Sequence, residues 1–299
     1  MELISARYRE HLMSMMAHSR AQMEVGEHNV LQEGNPAILP FIDRIVEDNL
    51  LAGSEVRGVE RLVELHKAAE AGEPCLLLLE HYSNFDLPAL HFLLRKSGKE
   101  GAAVAEAIIA VAGIKLNESN PVVAAFTEAY SRLVIYPSRS IESLKQSKLD
   151  PAKIMAELMR SVAVNRSSMK ALSEIKKRGK LVLVFPSGTR YRPWDPESVK
   201  GVREIDSYMK SFSKFCLISI NGNILRPNES NELTEDLLCR DRVVFQASEV
   251  IDCDTFRERA KHEHRHHEDK KQAVADAIMA ALKAQHEATE KSLPPLPSE

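Results

Sequence analysis

No apolar run in this sequence approaches the ~20 residues that a membrane-spanning helix requires, so no spanning helix is expected. Cysteine is scarce. Cys75, Cys216, Cys239 and Cys253 are scattered, form no C-x-x-C pair, and three of them lie within or beside apolar runs. That usage predicts reduced thiols packed in a core and a cytoplasmic location. Charge of neither sign dominates: 40 Lys and Arg face 43 Asp and Glu, a net charge of -3, so no nucleic-acid surface is expected. The start, M-E-L-I-S-A-R-Y-R-E, breaks its apolar residues with charges and offers no small-residue cleavage site, so it does not read as a signal peptide. No internal repeat is visible. No G-x-S-x-G elbow surrounds Ser83 or Ser187, which argues against a serine hydrolase.

What is present is a chain of 299 residues, 44% apolar, enough for one large core with a small accessory domain. The organising stretch is Cys75 to Leu94. Four leucines after Cys75 read as a buried strand. A polar turn follows, and Leu87 to Leu94 then shows apolar residues at helical spacing, with Pro88 in the first turn, where proline costs least. The turn thus joins the carboxyl end of a strand to the amino end of a helix, the edge at which open α/β sheets bind ligands. It carries His81 and Asp86 with four residues between them.

The rest of the chain continues the pattern. Residues 2–24 read as a helix with several methionines, which can face lipid or an acyl chain or pack as part of a helical cap. Further helices are expected over 36–51, 59–71, from Asn120-Pro121 onward, 151–178, 197–212 and 255–290. Strands are expected over 102–111, 133–136, 181–185, 215–220 and 243–247, and the tail 292–299 reads as disordered. Alternating strands and helices mean an α/β sheet covered on both faces.

Imidazole titrates near neutral pH and accepts protons well there. A nearby carboxylate can hold one ring nitrogen protonated and leave the other free to take a proton from an alcohol. Asp86 can equally cap helix amides, and both roles can coexist. A second loop, P-S-G-T-R-Y-R-P at 186–193, also follows a buried strand. It brings Arg190 and Arg192 to one mouth, where two guanidinium forks suit a phosphate dianion, although a solvated surface loop fits equally well. His262, His264, His266 and His267 read as a solvated helix rather than a metal site. Trp194 is expected to pack the loop. Asn221-Gly222-Asn223 either approaches an acyl donor or makes a turn.

Together these stretches resemble the glycerolipid acyltransferase family. Its first motif, His, four residues, Asp, is here H-Y-S-N-F-D. Its third, F-P-E-G-T-R in most members and P-S-G-G-R in the soluble plastid glycerol-3-phosphate acyltransferases, is here F-P-S-G-T-R. The surroundings are most similar to the plastid branch: V-A-G-I-K-L-N-E-S-N-P at 111–121, N-R-S-S-M-K-A-L-S-E at 165–174, and G-T-R-Y-R-P. The resemblance spans about residues 36–227.

The resemblance implies an α/β fold, a mixed, mostly parallel sheet flanked by helices, with a small helical amino-terminal domain, here 1–53 before an acyltransferase domain of 54–299. It implies that His81 is the general base and Asp86 its orienting carboxylate. Arg190 and Arg192 match phosphate-binding arginines. Arg139 falls where the branch has a basic Lys-His pair, with Ser140 at the second position, and Lys115 stands where the second block carries Arg. Ser187 replaces the glutamate of the membrane-bound branch, and Ser187, Gly188 and Thr189 offer oxyanion contacts. The implied activity is transfer of a fatty acyl group from a thioester of coenzyme A or acyl carrier protein to the sn-1 hydroxyl of glycerol 3-phosphate. That is the first step of phospholipid synthesis, needing no cofactor and no metal. The nearest alternative acceptor is the 1-acyl form, and a rival of another class is a non-catalytic lipid- or phosphate-binding module. A peripheral membrane contact stays open.

Overall fold

The computed structural model describes residues 1–118, 120–230 and 233–295. The chain forms two compact units, one of Met1–Arg9, Asp43–Ile108 and Lys176–Glu299, the other of Glu10–Ile42 and Ile109–Ile175. Residues 1–53 contribute to both.

The central strand of the first unit is Cys75–Leu79. It runs parallel to Leu181–Val184 on one side and to Lys214–Asn221 on the other. All five of its residues are buried. Because successive side chains of a strand point to opposite faces, both faces are covered, as expected for parallel strands reading as an unbroken apolar run. Lys214–Asn221 continues antiparallel to Val244–Ala247, which pairs in parallel with Glu55–Arg57. Ile251–Asp252 pairs antiparallel with the start of Lys214–Asn221. Helices Val59–Glu70 and Lys270–Ser292 pack on these strands. A small antiparallel sheet joins Glu2–Leu3, Leu237–Leu238 and Leu225–Arg226.

In the second unit, Ile108–Gly113 runs parallel to Arg132–Ile135, which pairs antiparallel with Leu31–Gln32. Helix Pro151–Ile175 packs on Arg132–Ile135. The N-R-S-S-M-K segment of that helix supplies the clamp. Ser168 Oγ donates to Val134 O at 2.6 Å, Tyr136 N–H donates to Asn165 Oδ1 at 2.8 Å, and Asn165 Nδ2 donates to Tyr136 O at 3.0 Å. The fold is α/β and mixed: apart from the small antiparallel sheet, the pairs described are four parallel and three antiparallel, and helices flank the strands.

Several predicted elements differ. Residues 102–111 are not one strand: helix Lys99–Ala107 precedes strand Ile108–Gly113. Alanine favours helix, and the strand begins where the β-branched Ile108-Ile109 pair appears. The helix expected over 197–212 is a 3-10 turn, Pro196–Val199, and a short helix, Glu204–Met209. The terminal helix breaks into Cys253–Glu263 and Lys270–Ser292, because Asp269 accepts from the Lys271 and Gln272 N–H groups and starts the second one. The amino-terminal helix is two pieces, Ile4–Arg7 and Arg9–His18, and 36–51 shortens to Leu39–Asn49. The predicted disordered tail falls partly on residues 296–299, which lie outside the described residues.

Candidate active site

The strand of one cysteine and four leucines ends at Leu79, and the polar turn that follows is built around one carboxylate. Asp86 Oδ2 accepts three hydrogen bonds: from Tyr82 N–H at 2.6 Å, Ser83 N–H at 2.9 Å and His81 Nδ1 at 2.8 Å. Ser83 Oγ donates to Asp86 Oδ1 at 3.1 Å and accepts from Phe85 N–H at 3.0 Å. Asp86 is the first residue of helix Asp86–Lys96 and is 4% exposed. It gathers the amides of the turn before the helix, not those of the helix itself. The same oxygen therefore holds both the His81 ring and the amides of the turn.

The His81 ring lies flat on Phe185, with centroids 3.9 Å apart and an interplanar angle of 20°. With Nδ1 held by Asp86, Nε2 has no hydrogen-bond partner among the described residues. The side chain keeps 16% of its surface exposed. The arginine loop is fastened to this turn by its backbone: Tyr191 N–H donates to His81 O at 2.7 Å. Tyr191 also meets Tyr82 edge to face at 5.9 Å.

Within the loop, Gly188 has φ 62, and its N–H donates to Phe185 O at 2.9 Å. That amide is therefore committed to the turn, whereas the Ser187 and Thr189 amides have no partner among the described residues. Ser187 Oγ donates to Thr189 O at 2.6 Å. Arg190 is buried, and its Nη1 donates to Asp236 Oδ2 at 2.5 Å. Asp236 is fully buried and also accepts from Asn228 N–H at 3.1 Å and Asn84 Nδ2 at 3.4 Å. Burial pushes its carboxyl above the ordinary value even though the Arg190 guanidinium pulls the other way. Arg192 is half-buried, with Nη1 3.5 Å from Asp195 Oδ2. Its Nε–H is buried without a partner among the described residues, an orphan donor of the kind that calls for an acceptor.

Arg139 and Lys115 belong to the second unit, at the starts of helices Ser138–Lys145 and Lys115–Glu118, and both are exposed. Trp194 does not pack the loop as expected. It is 39% exposed, and the loop is held by Ser198, whose Oγ accepts from Arg192 N–H at 2.9 Å. Asn221 ends strand Lys214–Asn221, and Gly222 after it has φ 87. Burial pushes the Cys75, Cys216 and Cys253 thiols up to about 12, which suits core packing.

A model described as Acyltransferase matches residues 54–214. The match covers more than half of the chain and includes both loops just described. The chain belongs to the Acyltransferase family. A comparison with curated proteins finds no match. As an acyltransferase of the glycerolipid type, it is an enzyme that takes an acyl donor and a lipid-type acceptor. No helix among its described residues is long and apolar enough to cross a membrane.

Three polar residues of the acyltransferase's site neighbourhood escaped the sequence reading: Glu80, Asp236 and His286. Glu80 Oε2 accepts from Ile220 N–H at 2.7 Å and lies 3.1 Å from His286 Nδ1, while Tyr82 Oη lies 3.4 Å from both Glu80 Oε1 and His286 Nδ1. The bond to Glu80 raises the His286 imidazole above its ordinary value. Glu80 had a readable signal, a carboxylate closing a run of buried leucines. Asp236 and His286 had none, since each acts on a partner distant in sequence.

Proposed function

We propose that the chain is a glycerol-3-phosphate 1-O-acyltransferase using a thioester of coenzyme A or acyl carrier protein. The observation that carries this reading is His81, fixed by Asp86 at Nδ1, with Nε2 open beside an arginine-bearing loop. Nε2 takes the proton of the acceptor hydroxyl as its oxygen bonds to the thioester carbonyl carbon. The Asp86 carboxylate stabilises the resulting imidazolium. The Ser187 and Thr189 amides are the loop donors available to the oxyanion. When the tetrahedral adduct collapses, the carbon–sulfur bond breaks and the imidazolium returns its proton to the thiolate. No acyl-enzyme and no cofactor enters this scheme. Arg192, through its orphan Nε–H, and Arg190, steadied by Asp236, bind the acceptor phosphate. Arg139 and Lys115 are assigned phosphate contacts by the resemblance alone.

The test is an acyl-transfer assay on the purified full chain, with glycerol 3-phosphate or its 1-acyl form as acceptor and each thioester as donor. Glycerol 3-phosphate is expected to be acylated at sn-1 with the higher kcat/KM. Preference for the 1-acyl form would move the assignment to the second acylation, and no turnover with any pair would favour a non-catalytic binding module.

A further inference from the structure

Helix Pro151–Ile175 is apolar on two opposite sides. One side is its core face, with Val164, Ser168, Leu172 and Ile175 buried. At 100° per residue, Met155, Met159, Val162, Arg166 and Met169 form a separate stripe on the opposite side, spanning about 80° of the helix surface. The four apolar members are 60%, 69%, 59% and 63% exposed. A helix that packs on one face normally presents charged and polar residues on the other. Linear thioether side chains in a row on an open, convex surface have no packing role in the chain itself, and contiguous exposed apolar patches mark interaction sites.

The charge around the stripe identifies the occupant. Arg166 lies within it and Lys170 on its border, both exposed. Of the two carboxylates of this helix, Glu157 is turned to the far side, where Arg160 Nη1 donates to its Oε1 at 3.0 Å, and Glu174 lies at the carboxyl end, away from the methionines. Lys145, Lys148 and the exposed Leu149 precede the helix. We propose that this helix docks in the plane of an anionic lipid surface, its methionines and Val162 entering the acyl boundary and its cations meeting phosphate headgroups. Adaptable apolar side chains on a ridge suit a deformable bilayer, which offers no shaped groove to fill. The inference does not depend on which acceptor the enzyme acylates, because lipid binding is read without turnover.

The experiment is co-sedimentation of the full chain with vesicles of phosphatidylcholine alone or with one-third phosphatidylglycerol. Wild type is expected to sediment with the anionic vesicles at least tenfold more than with the neutral ones, and less at high salt. M155Q/M159Q/M169Q, a solvent-face triple change to a good helix former, should lose that binding while keeping wild-type circular dichroism. R166E/K170E should lose it as well. No vesicle binding by wild type, or equal binding by wild type and the triple variant, overturns the proposal. It is also overturned if the triple variant binds vesicles normally but loses binding to an acidic carrier protein, or changes oligomeric state, since the stripe would then be a protein interface.

Discussion

His286 Nδ1 lies 3.1 Å from Glu80 Oε2, which ties the last helix of the chain to the residue immediately before His81. Glu80 is buried, and its Oε2 also takes the Ile220 N–H, so the carboxylate bridges a helix, a strand and the turn that carries His81. Glu287 and Glu290 add to the field that raises the imidazole. A histidine whose folded value lies above its unfolded value binds its proton more tightly in the folded state. Its stabilisation is full below the unfolded value of about 6.5 and is lost as pH rises through the folded value. The thermal midpoint of His286→Gln should therefore fall furthest below wild type under mildly acidic conditions, and the gap should narrow with rising pH. Melting curves over a pH series check this. A gap that widens with pH would show that the Glu80 contact is not with an imidazolium.

If His81 is the base proposed, His81→Ala should lower kcat by about 10²–10⁴, the usual worth of a positioned base. Asp86→Asn is the sharper variant. An asparagine oxygen can still accept the Tyr82 and Ser83 amides, so the turn should persist, but the charge that favours the imidazolium is gone. Its kcat should fall within the same range while its circular dichroism and melting stay near wild type. Near-normal turnover in either variant would remove the pair from proton transfer.

Asp236→Asn leaves the Arg190 guanidinium buried without its carboxylate. Breaking one side of a buried ion pair costs about 3 kcal/mol or more, readable as a shift in the urea midpoint. Because Arg190 is also proposed to meet the acceptor phosphate, KM for glycerol 3-phosphate should rise more than kcat falls. Steady-state kinetics at varied acceptor concentration separates the two, and an unchanged KM would leave Arg190 and Asp236 as a purely structural pair.

Gly222→Ala should be among the most disruptive single changes outside the site. The residue has φ 87, and an added Cβ would stand 1.9 Å from the Arg242 carbonyl oxygen, a backbone atom that cannot swing aside. Strain of that kind exceeds the ~1 kcal/mol of an ordinary glycine-to-alanine change at positive φ. Expression yield and chemical unfolding measure it.

These predictions mix what the sequence exposes with what it conceals. The strand Cys75–Leu79 and the His81–Asp86 turn were legible because a run of buried leucines and a short polar break are both local patterns. Lys99–Ala107 was misread because alanine is apolar without favouring extended backbone. The split in the terminal helix was missed because one capping aspartate, Asp269, decides it amid many charged residues. The partners of the site were illegible for a different reason. Arg190 and Asp236 are separated by 46 positions, and Glu80 and His286 by 206. No spacing rule reaches that far without the sheet that brings them together.

The side-chain hydrogen bonds around the His81 ring close within residues 81–86. The groups assigned to the acceptor come instead from a loop more than a hundred residues later. On the proposed assignment, exchanging the Arg190 and Arg192 side chains would change which acceptor is gripped, whereas the backbone of the same loop must be kept, because it offers the Ser187 and Thr189 amides and holds His81 O through the Tyr191 N–H.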